Sequence, residues 1–156
     1  MPAFNAALHL REAVDSLKAQ TYDNFELIVL DDGSRDDTWA VAQACAADDE
    51  RIRLLRNDGN RGLIYSRNRC VEEARAPLLA LADADDIFDP RRIEKQVRYM
   101  EAHPEVGVLG GKITFIGHPS VPPREAVDPY LEDKDIRFFL LLGPCISNTV
   151  TIYRRQ

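Results

Sequence analysis

The sequence predicts an α/β protein in which helices flank an open, mostly parallel β-sheet of Rossmann-like architecture. Three observations support this fold class. Short apolar runs alternate along the chain with segments whose apolar residues have helical spacing. Two of these runs end at clusters of aspartates, where sheets of this kind bind ligands. The length of 156 residues is enough for one domain with a buried core.

The elements follow from the spacing of apolar residues and from local start signals. Asn5 is the expected N-cap of the first helix, and residues 34–37 fit a capping box for the second. Asp89 and Pro90 predict the start of a later helix, as N-cap and first helical residue. In order, the expected elements are helix 6–20, strand 25–30, helix 34–47, strand 52–55, helix 62–74, strand 77–82, helix 89–103 and strand 106–116.

The alternation breaks after residue 117. Residues 118–129 contain four prolines and predict a loop or flap, followed by a helix at 132–142 and a strand at 149–153. A doubly wound sheet should open with a strand, but the first predicted helix starts almost at once. We therefore expect a chain that is incomplete at both ends, with a free sheet edge that could pair with a second copy.

The two acidic clusters are the main candidates for chemistry. Residues 31–34 (Asp-Asp-Gly-Ser) and residues 83–86 (Asp-Ala-Asp-Asp) each follow a predicted strand. In an extended segment, residues two apart point to the same side, so Asp83 and Asp85 are expected to face one ligand. Mg²⁺ and Mn²⁺ are often held by one or two carboxylates together with substrate phosphates. A metal-bridged diphosphate fits this pattern, whereas each cluster alone also fits a solvated acidic turn.

Composition limits the function classes. The net charge of −6 argues against a nucleic-acid binder, which usually presents a basic face. No apolar run approaches the length that spans a bilayer, and residues 1–5 do not resemble a signal peptide. The three cysteines are far apart and odd in number, which favours reduced thiols and a cytoplasmic location.

Five segments in succession resemble the signatures of family 2 glycosyltransferases. They are residues 2–5 (Pro-Ala-Phe-Asn), 31–38 (Asp-Asp-Gly-Ser-Arg-Asp-Asp-Thr), 60–62 (Asn-Arg-Gly), 66–68 (Ser-Arg-Asn) and 83–86. Their order and spacing match through most of the chain. The resemblance implies a GT-A fold, a nucleoside-diphosphate sugar donor, a divalent metal (Mn²⁺ or Mg²⁺) and an inverting displacement. Residues 1–117 would then bind the nucleotide sugar, and residues 118–156 would begin the acceptor side.

The resemblance also implies roles for residues in the first two segments. Phe4 matches an aromatic position that packs on the donor base, and Pro2 and Asn5 belong to the same motif. Asp32 resembles the acid that accepts a hydrogen bond from the base ring N–H. Asp31 beside it resembles a support for the loop.

The remaining segments complete the implied site. Arg61 matches a residue that reaches the base or the phosphates, and Arg67 and Asn68 match an Ala-Arg-Asn motif in which Ser66 replaces alanine. Within the last segment, Asp83 resembles the residue near the ribose and Asp85 the metal ligand. Ala84 between them is assigned to the nucleotide-sugar site with them.

One departure concerns catalysis. The family uses a carboxylate base on the acceptor side, and no Asp or Glu follows Asp135. We therefore expect the general base to lie beyond Gln156, outside these residues. A sugar hydroxyl needs a base to become a nucleophile, so donor binding with little transfer is expected of this chain alone. If a base is present within residues 1–156, the first candidates are Asp128, Glu132, Asp133 and Asp135.

Two other readings stay open. A nucleotidyltransferase also uses strand-end carboxylates and metal, but residues 2–7 lack its glycine-rich basic loop. A donor-binding module that pairs with another chain is the second. The expected partners are a UDP-sugar and a carbohydrate or lipid-linked acceptor, without nucleic acid. Homodimerisation and peripheral membrane association through regions outside these residues are further expectations, which would place the protein at the inner membrane face.

Overall fold

The structure is a computed structural model that describes residues 1–116, 124–126, 136 and 148–155. Strands and helices alternate through its first two thirds. The elements are β1 Pro2–Ala3, α1 Leu10–Lys18, β2 Leu27–Asp31, α2 Thr38–Ala46, β3 Ile52–Arg56, α3 Leu63–Glu73, β4 Leu78–Ala80, α4 Arg92–Ala102, β5 Val108–Leu109, β6 Ile113–Phe115, β7 Arg124–Ala126, a 3₁₀ turn Asn148–Val150 and β8 Ile152–Arg154.

The strands form two kinds of sheet. β1, β2 and β3 pair in parallel in that order, with Leu27 opposite Ile52 and Asp31 opposite Arg56. β4, β8 and β5 pair antiparallel, and so do β6 and β7. The α/β class is confirmed, but among the described residues the parallel pairing is confined to the first three strands. The sequence led us to expect that the two acidic clusters end neighbouring parallel strands. That expectation was wrong, because β2 and β4 belong to different sheets.

The expectation of a missing first strand was wrong. Pro2 and Ala3 form β1, which pairs with Leu30 and Asp31 of β2. Ala3 O also accepts a hydrogen bond from the Asp32 N–H at 2.8 Å. A strand of two residues that includes a proline has no alternation to detect, so the sequence pattern could not show it.

The core lies between the parallel sheet and the helices. α1 buries Leu10, Ala13, Val14 and Leu17, which occupy one face at helical spacing. β2 is buried along its whole length, as expected for a central strand covered on both faces. α4 adds Ile93, Val97 and Met100 to the same core cluster. This packing fixes the carboxyl ends of the strands, where the candidate site lies.

The three predicted helix starts lie two to four residues before the observed N-caps. The N-caps of α1, α2 and α4 are His9, Asp37 and Arg91, none of which makes a side-chain capping bond. Asn5 has a positive φ of 49°, and its Oδ1 accepts the Arg35 N–H at 3.0 Å. The Ser34 hydroxyl accepts the Asn5 N–H, outside the helix it was expected to cap. Asp89 Oδ1 accepts the Arg91 N–H at 2.9 Å, within the predicted helix but just before α4 begins at Arg92.

The chain after α4 is described only in pieces. The predicted strand 106–116 is divided into β5 and β6, with a break at residues 110–112. The predicted loop 118–129 contains the short strand β7, and the predicted strand 149–153 is replaced by the 3₁₀ turn followed by β8. Within the described part of the chain, no helix is long and apolar enough to cross a membrane.

The expectations about the general base fall on residues that the structure does not describe. Gln156, beyond which the base is expected, follows directly after the last described residue, Arg155. The predicted helix at 132–142 lies largely outside the described residues, of which it includes only Ile136. The four candidate carboxylates also lie outside them: Asp128, Glu132, Asp133 and Asp135. The position of the base therefore stays a prediction.

Candidate functional site

The candidate site lies at the carboxyl ends of β1, β2 and β3. Phe4 follows β1, Asp32 follows β2 and Asn57 follows β3. Parallel strands bring these positions to one edge of the sheet. Phe4 keeps 45% of its surface exposed there, so its ring is available to a ligand, while Pro2 is half-buried in β1 itself.

Much of the 31–38 segment holds neighbouring backbone rather than facing the cleft. Side chains of this segment accept hydrogen bonds from three successive backbone N–H groups that precede α1. Ser34 Oγ accepts from Asn5 at 2.9 Å, Thr38 Oγ1 from Ala6 at 2.8 Å and Asp36 Oδ2 from Ala7 at 3.2 Å. The Thr38 hydroxyl, followed by the other hydrogen bonds, holds the pKa of Asp36 below its usual value. The segment therefore shapes the turn that presents Phe4.

Asp31 supports this turn, as the resemblance implied. Its side chain is fully buried, and its Oδ1 accepts the Ser34 N–H at 2.9 Å. Its Oδ2 makes an ion pair with Arg56 Nε at 2.9 Å, although the angle is not that of a hydrogen bond. The Arg56 guanidinium lies over the Trp39 ring, 5.1 Å from its centre. Asp31 thus ties the turn to β3 and has no surface left for a ligand.

Asp32 is also buried, and the protein supplies its hydrogen bonds. Its Oδ1 accepts from Asn57 Nδ2 at 2.6 Å and from Arg61 N–H at 2.9 Å, and its Oδ2 accepts from Gly62 N–H at 2.9 Å. Burial acts to raise the pKa of Asp32, but these bonds and one from Ser66 outweigh it and hold the pKa below its usual value. Asp32 is therefore an anion that anchors the loop before α3. Its contact with a donor base stays a prediction.

The turn at Gly33 and the loop after β3 touch through their backbones. Gly33 has φ of 69°, and a Cβ placed on it would lie 2.4 Å from Gly59 C. Only glycine combines that conformation with so close an approach. The sequence motif therefore needs glycine here to let the Asp58–Gly62 loop close over Asp32.

Helix α3 joins the two acidic clusters. Its preceding residue, Gly62, donates to Asp32, and Arg67 one turn later makes an ion pair with Asp83 at 2.7 Å. Five residues of helix span about 7.5 Å, so both clusters contact the same short stretch. The two clusters are therefore linked through α3, although the strands they follow are not paired. Their opening into one cleft stays a prediction.

Burial alternates along the 83–85 segment. Asp83 is half-buried, Ala84 belongs to the core and Asp85 is exposed. Residues 84 and 85 form a turn rather than the extended segment that the sequence predicted, and Ala84 anchors this turn in the core. The assignment of these residues to a donor stays a prediction. Arg92 of α4 holds the backbone just before this segment, because its Nη2 donates to Leu81 O at 2.8 Å.

The carboxylates of this segment are crowded. Burial, then the nearby charges of Asp83 and Asp85, raises the pKa of Asp86. Burial also lowers the pKa of Arg92 to about 10, so it remains a cation at neutral pH. The segment thus carries negative charge that a further cation would offset.

The donor set fits a divalent metal only if a substrate completes it. Among the described residues, no group of three His, Cys, Asp or Glu side chains is placed to hold an ion. Asp85 is an exposed oxygen donor, and Mg²⁺ or Mn²⁺ is commonly held by one or two carboxylates with substrate phosphates. Asp85 is therefore compatible with a metal that arrives with a diphosphate.

Two further predicted residues lie at the rim. The Arg61 guanidinium lies over the Tyr65 ring, 4.8 Å from its centre, and both side chains are exposed. Asn68 is exposed on α3. The sequence analysis missed Asn57 and the hydroxyl of Ser66, which hold Asp32 from behind. Asn57 directly follows β3 only because that strand extends to Arg56, one residue beyond the predicted end, so the sequence pattern gave no signal for it.

The Arg67–Asp83 ion pair allows a direct test of this arrangement. We expect a double-mutant cycle with Arg67→Ala and Asp83→Ala to give a coupling of about 1 kcal/mol in urea unfolding without ligand. The value is modest because each side chain keeps 24% of its surface exposed. Additive effects of the two substitutions would show that α3 and the 83–85 segment are not joined by this pair.

Comparison with known proteins agrees with the resemblance. The family model described as Glycosyl transferase family 2 matches residues 1–156. The EpsE protein of Bacillus subtilis (strain 168) is 39% identical over 117 residues, which cover 74% of this chain and 42% of EpsE. Glycosyltransferase GlyG of Streptococcus pneumoniae serotype 4 is 31% identical over 110 residues, covering 69% of this chain and 36% of GlyG. The chain thus spans about two fifths of the length of these relatives.

Solved structures show the same fold. TarS 1–349 from S. aureus, in complex with UDP-GlcNAc, superposes with a TM-score of 0.78 at 22% identity, covering 98% of this chain and 43% of that one. The mannosyltransferase PcManGT from Pyrobaculum calidifontis, in complex with GDP-Man and Mn²⁺, gives a TM-score of 0.65 at 24% identity, covering 70% and 33%. These likenesses confirm the predicted GT-A fold.

Proposed function

The chain belongs to glycosyltransferase family 2, and from that premise we propose that it binds the donor in transfer of a sugar from a nucleoside-diphosphate sugar to a hydroxyl acceptor. The observation that carries the proposal is the position of α3. This helix meets the anchored Asp32 at its start and Asp83 through Arg67, which supports assigning the two acidic clusters to the nucleoside end and the phosphate end of one donor site.

At the nucleoside end, Phe4 offers an exposed aromatic ring for the base, beside Pro2 and Asn5. Asp32 lies behind it as a buried anion, and Arg61 lies at the rim. We assign uracil as the base, with support from the complex of the structural neighbour TarS with UDP. The neighbour PcManGT carries GDP-Man on the same fold, so the fold alone does not determine the base.

At the phosphate end, we assign Asp83 to the ribose side and Asp85 to a Mn²⁺ or Mg²⁺ ion. Bound there, the ion would neutralise charge on the diphosphate leaving group. Asp83 is held by Arg67, and the exposure of Asp85 supports its assignment as the metal ligand. We assign Asn68, which is exposed on α3, to the nucleotide sugar.

Inverting transfer also needs a base that takes the proton of the acceptor hydroxyl. Of the carboxylates described in the candidate site, Asp31, Asp32 and Asp83 are each engaged by donors of the protein. Asp86 is half-buried and accepts a hydrogen bond from Thr149. Asp85 is assigned to the metal. We therefore propose that residues 1–116 supply donor binding, and that the base and the carbohydrate or lipid-linked acceptor belong to the acceptor side, with the base beyond Gln156.

A nucleotide panel tests this function. Calorimetry with UDP, GDP, CDP and ATP, each with Mn²⁺ and with chelator, should show the tightest binding for UDP with metal. This preference is expected because the uracil would bind at one end of the donor site and the two phosphates, with the metal, at the other. Preference for a triphosphate over every diphosphate would favour a nucleotidyltransferase instead. Equal affinity for all bases would remove the assignment of uracil.

A further inference from the structure

A buried polar network lies behind the nucleoside end of the cleft, with Asn57 at its centre. Asn57 directly follows β3 and is only 5% exposed. Its N–H donates to Asp31 O at 2.9 Å, which fixes its backbone against β2. Its side-chain Nδ2 donates to Asp32 Oδ1 at 2.6 Å and to Ser66 Oγ at 3.0 Å, and its Oδ1 accepts from Arg69 Nη1 at 2.5 Å.

Arg69 determines which way the Asn57 amide points. A guanidinium can only donate, so the amide oxygen must face Arg69 and the NH₂ group must face Asp32. Arg69 is held in turn, because the same Nη1 donates to Arg56 O at 2.9 Å. If the amide were rotated by half a turn, its NH₂ group would face the Arg69 guanidinium and its oxygen would face the Asp32 carboxylate, so both hydrogen bonds would be lost. The Asn57 amide therefore has only one orientation that satisfies these hydrogen bonds.

The network also determines where the Asp32 carboxylate lies. Two of its donors, the Arg61 and Gly62 N–H groups, belong to the loop at the rim of the cleft. Asn57 is the donor that comes from the side of the sheet instead. Without it, Asp32 would be held by the loop N–H groups and the Ser66 hydroxyl alone, and a buried carboxylate that loses a donor shifts or draws in water.

We propose that Asn57 is a positioning residue for nucleoside recognition, which fixes the Asp32 carboxylate and the Arg61–Gly62 backbone relative to the base. This inference rests on the proposed function. It assigns Asn57 no contact with the donor. Its effect should therefore fall on ligands that contain the base and should spare those that contain only the phosphates.

Comparing two ligands separates this role from a general effect on folding. In calorimetry with Mn²⁺, Asn57→Ala should weaken UDP binding about tenfold, on the order of the loss of one net hydrogen bond. Inorganic pyrophosphate, which lacks the nucleoside, should keep its affinity within about twofold, because Asp85 is unchanged. Asn24→Ala, an exposed asparagine at the opposite end of β2, is the matched control and should change neither.

A second variant keeps the test open if Asn57→Ala folds poorly. Arg69→Lys retains the charge on a half-buried side chain but cannot reproduce the guanidinium contacts to Asn57 and Arg56. It should shift UDP binding in the same direction by a smaller factor, again without changing pyrophosphate binding. Equal weakening of both ligands, or of neither, would overturn the role of Asn57. Failure of the unchanged chain to bind UDP would refute the proposed function itself.

Discussion

Gly33→Ala is expected to destabilise the protein by about 2–5 kcal/mol and to disrupt the donor site. A left-handed conformation costs an alanine about 1–2 kcal/mol, and forcing packed groups apart costs about 1–3 kcal/mol more. The new Cβ would lie 2.4 Å from Gly59 C and 2.5 Å from Gly59 Cα, both backbone atoms. Because the Asp58–Gly62 loop must move, Arg61 and Gly62 would withdraw their N–H groups from Asp32. Urea unfolding measures the first effect, and UDP calorimetry the second.

Gly59→Ala is the matched control, because it changes the other side of the same contact. A Cβ on Gly59 meets nothing within 4 Å, and its φ is not in the positive range. Its free energy of unfolding should therefore change by no more than about 0.5–1 kcal/mol. Similar losses in both variants would show that the two backbones do not approach as closely as the structure has them.

The sequence predicted the location of the site because apolar runs ended at Asp31 and Asp83. A strand that is buried on both faces has a continuous apolar pattern, and a ligand-binding edge begins where that pattern stops. The family resemblance then assigned different roles to the members of the acidic clusters, and these roles stay predictions. The structure brings these clusters together through α3, and no local pattern indicates that Arg67 pairs with Asp83.

Other features escaped the sequence because their partners are distant along the chain. Ser34, Asp36 and Thr38 look like residues that start a helix, but their side chains cap the turn before α1, about 30 residues earlier. β1 is too short to show a period. Asn57 looks like an ordinary loop asparagine, and only the fold shows that it is buried against Asp32 and Arg69.

Asp85→Asn is expected to remove most of the metal enhancement of UDP binding. The substitution keeps the shape of the side chain but deletes the charge that a divalent ion needs. With Mn²⁺, UDP affinity should fall at least about tenfold, because even outer-shell partners of metal ligands change metal affinity about 10–100-fold. With chelator, the variant and the unchanged chain should bind UDP equally. Calorimetry of both proteins under both conditions measures the difference.

Asp23→Asn provides the matched control, since this carboxylate is 91% exposed at the opposite end of β2 and should leave the enhancement intact. Electron paramagnetic resonance of Mn²⁺ adds a readout that does not depend on the nucleotide base. The unchanged chain with UDP should remove the signal of free Mn²⁺, and Asp85→Asn should restore it. Equal enhancement in the variant would reject Asp85 as the ligand and direct attention to Asp83, whose carboxylate would then have to leave Arg67 to reach the ion. The Arg67–Asp83 cycle, repeated with Mn²⁺ and UDP, would detect that exchange as a loss of coupling.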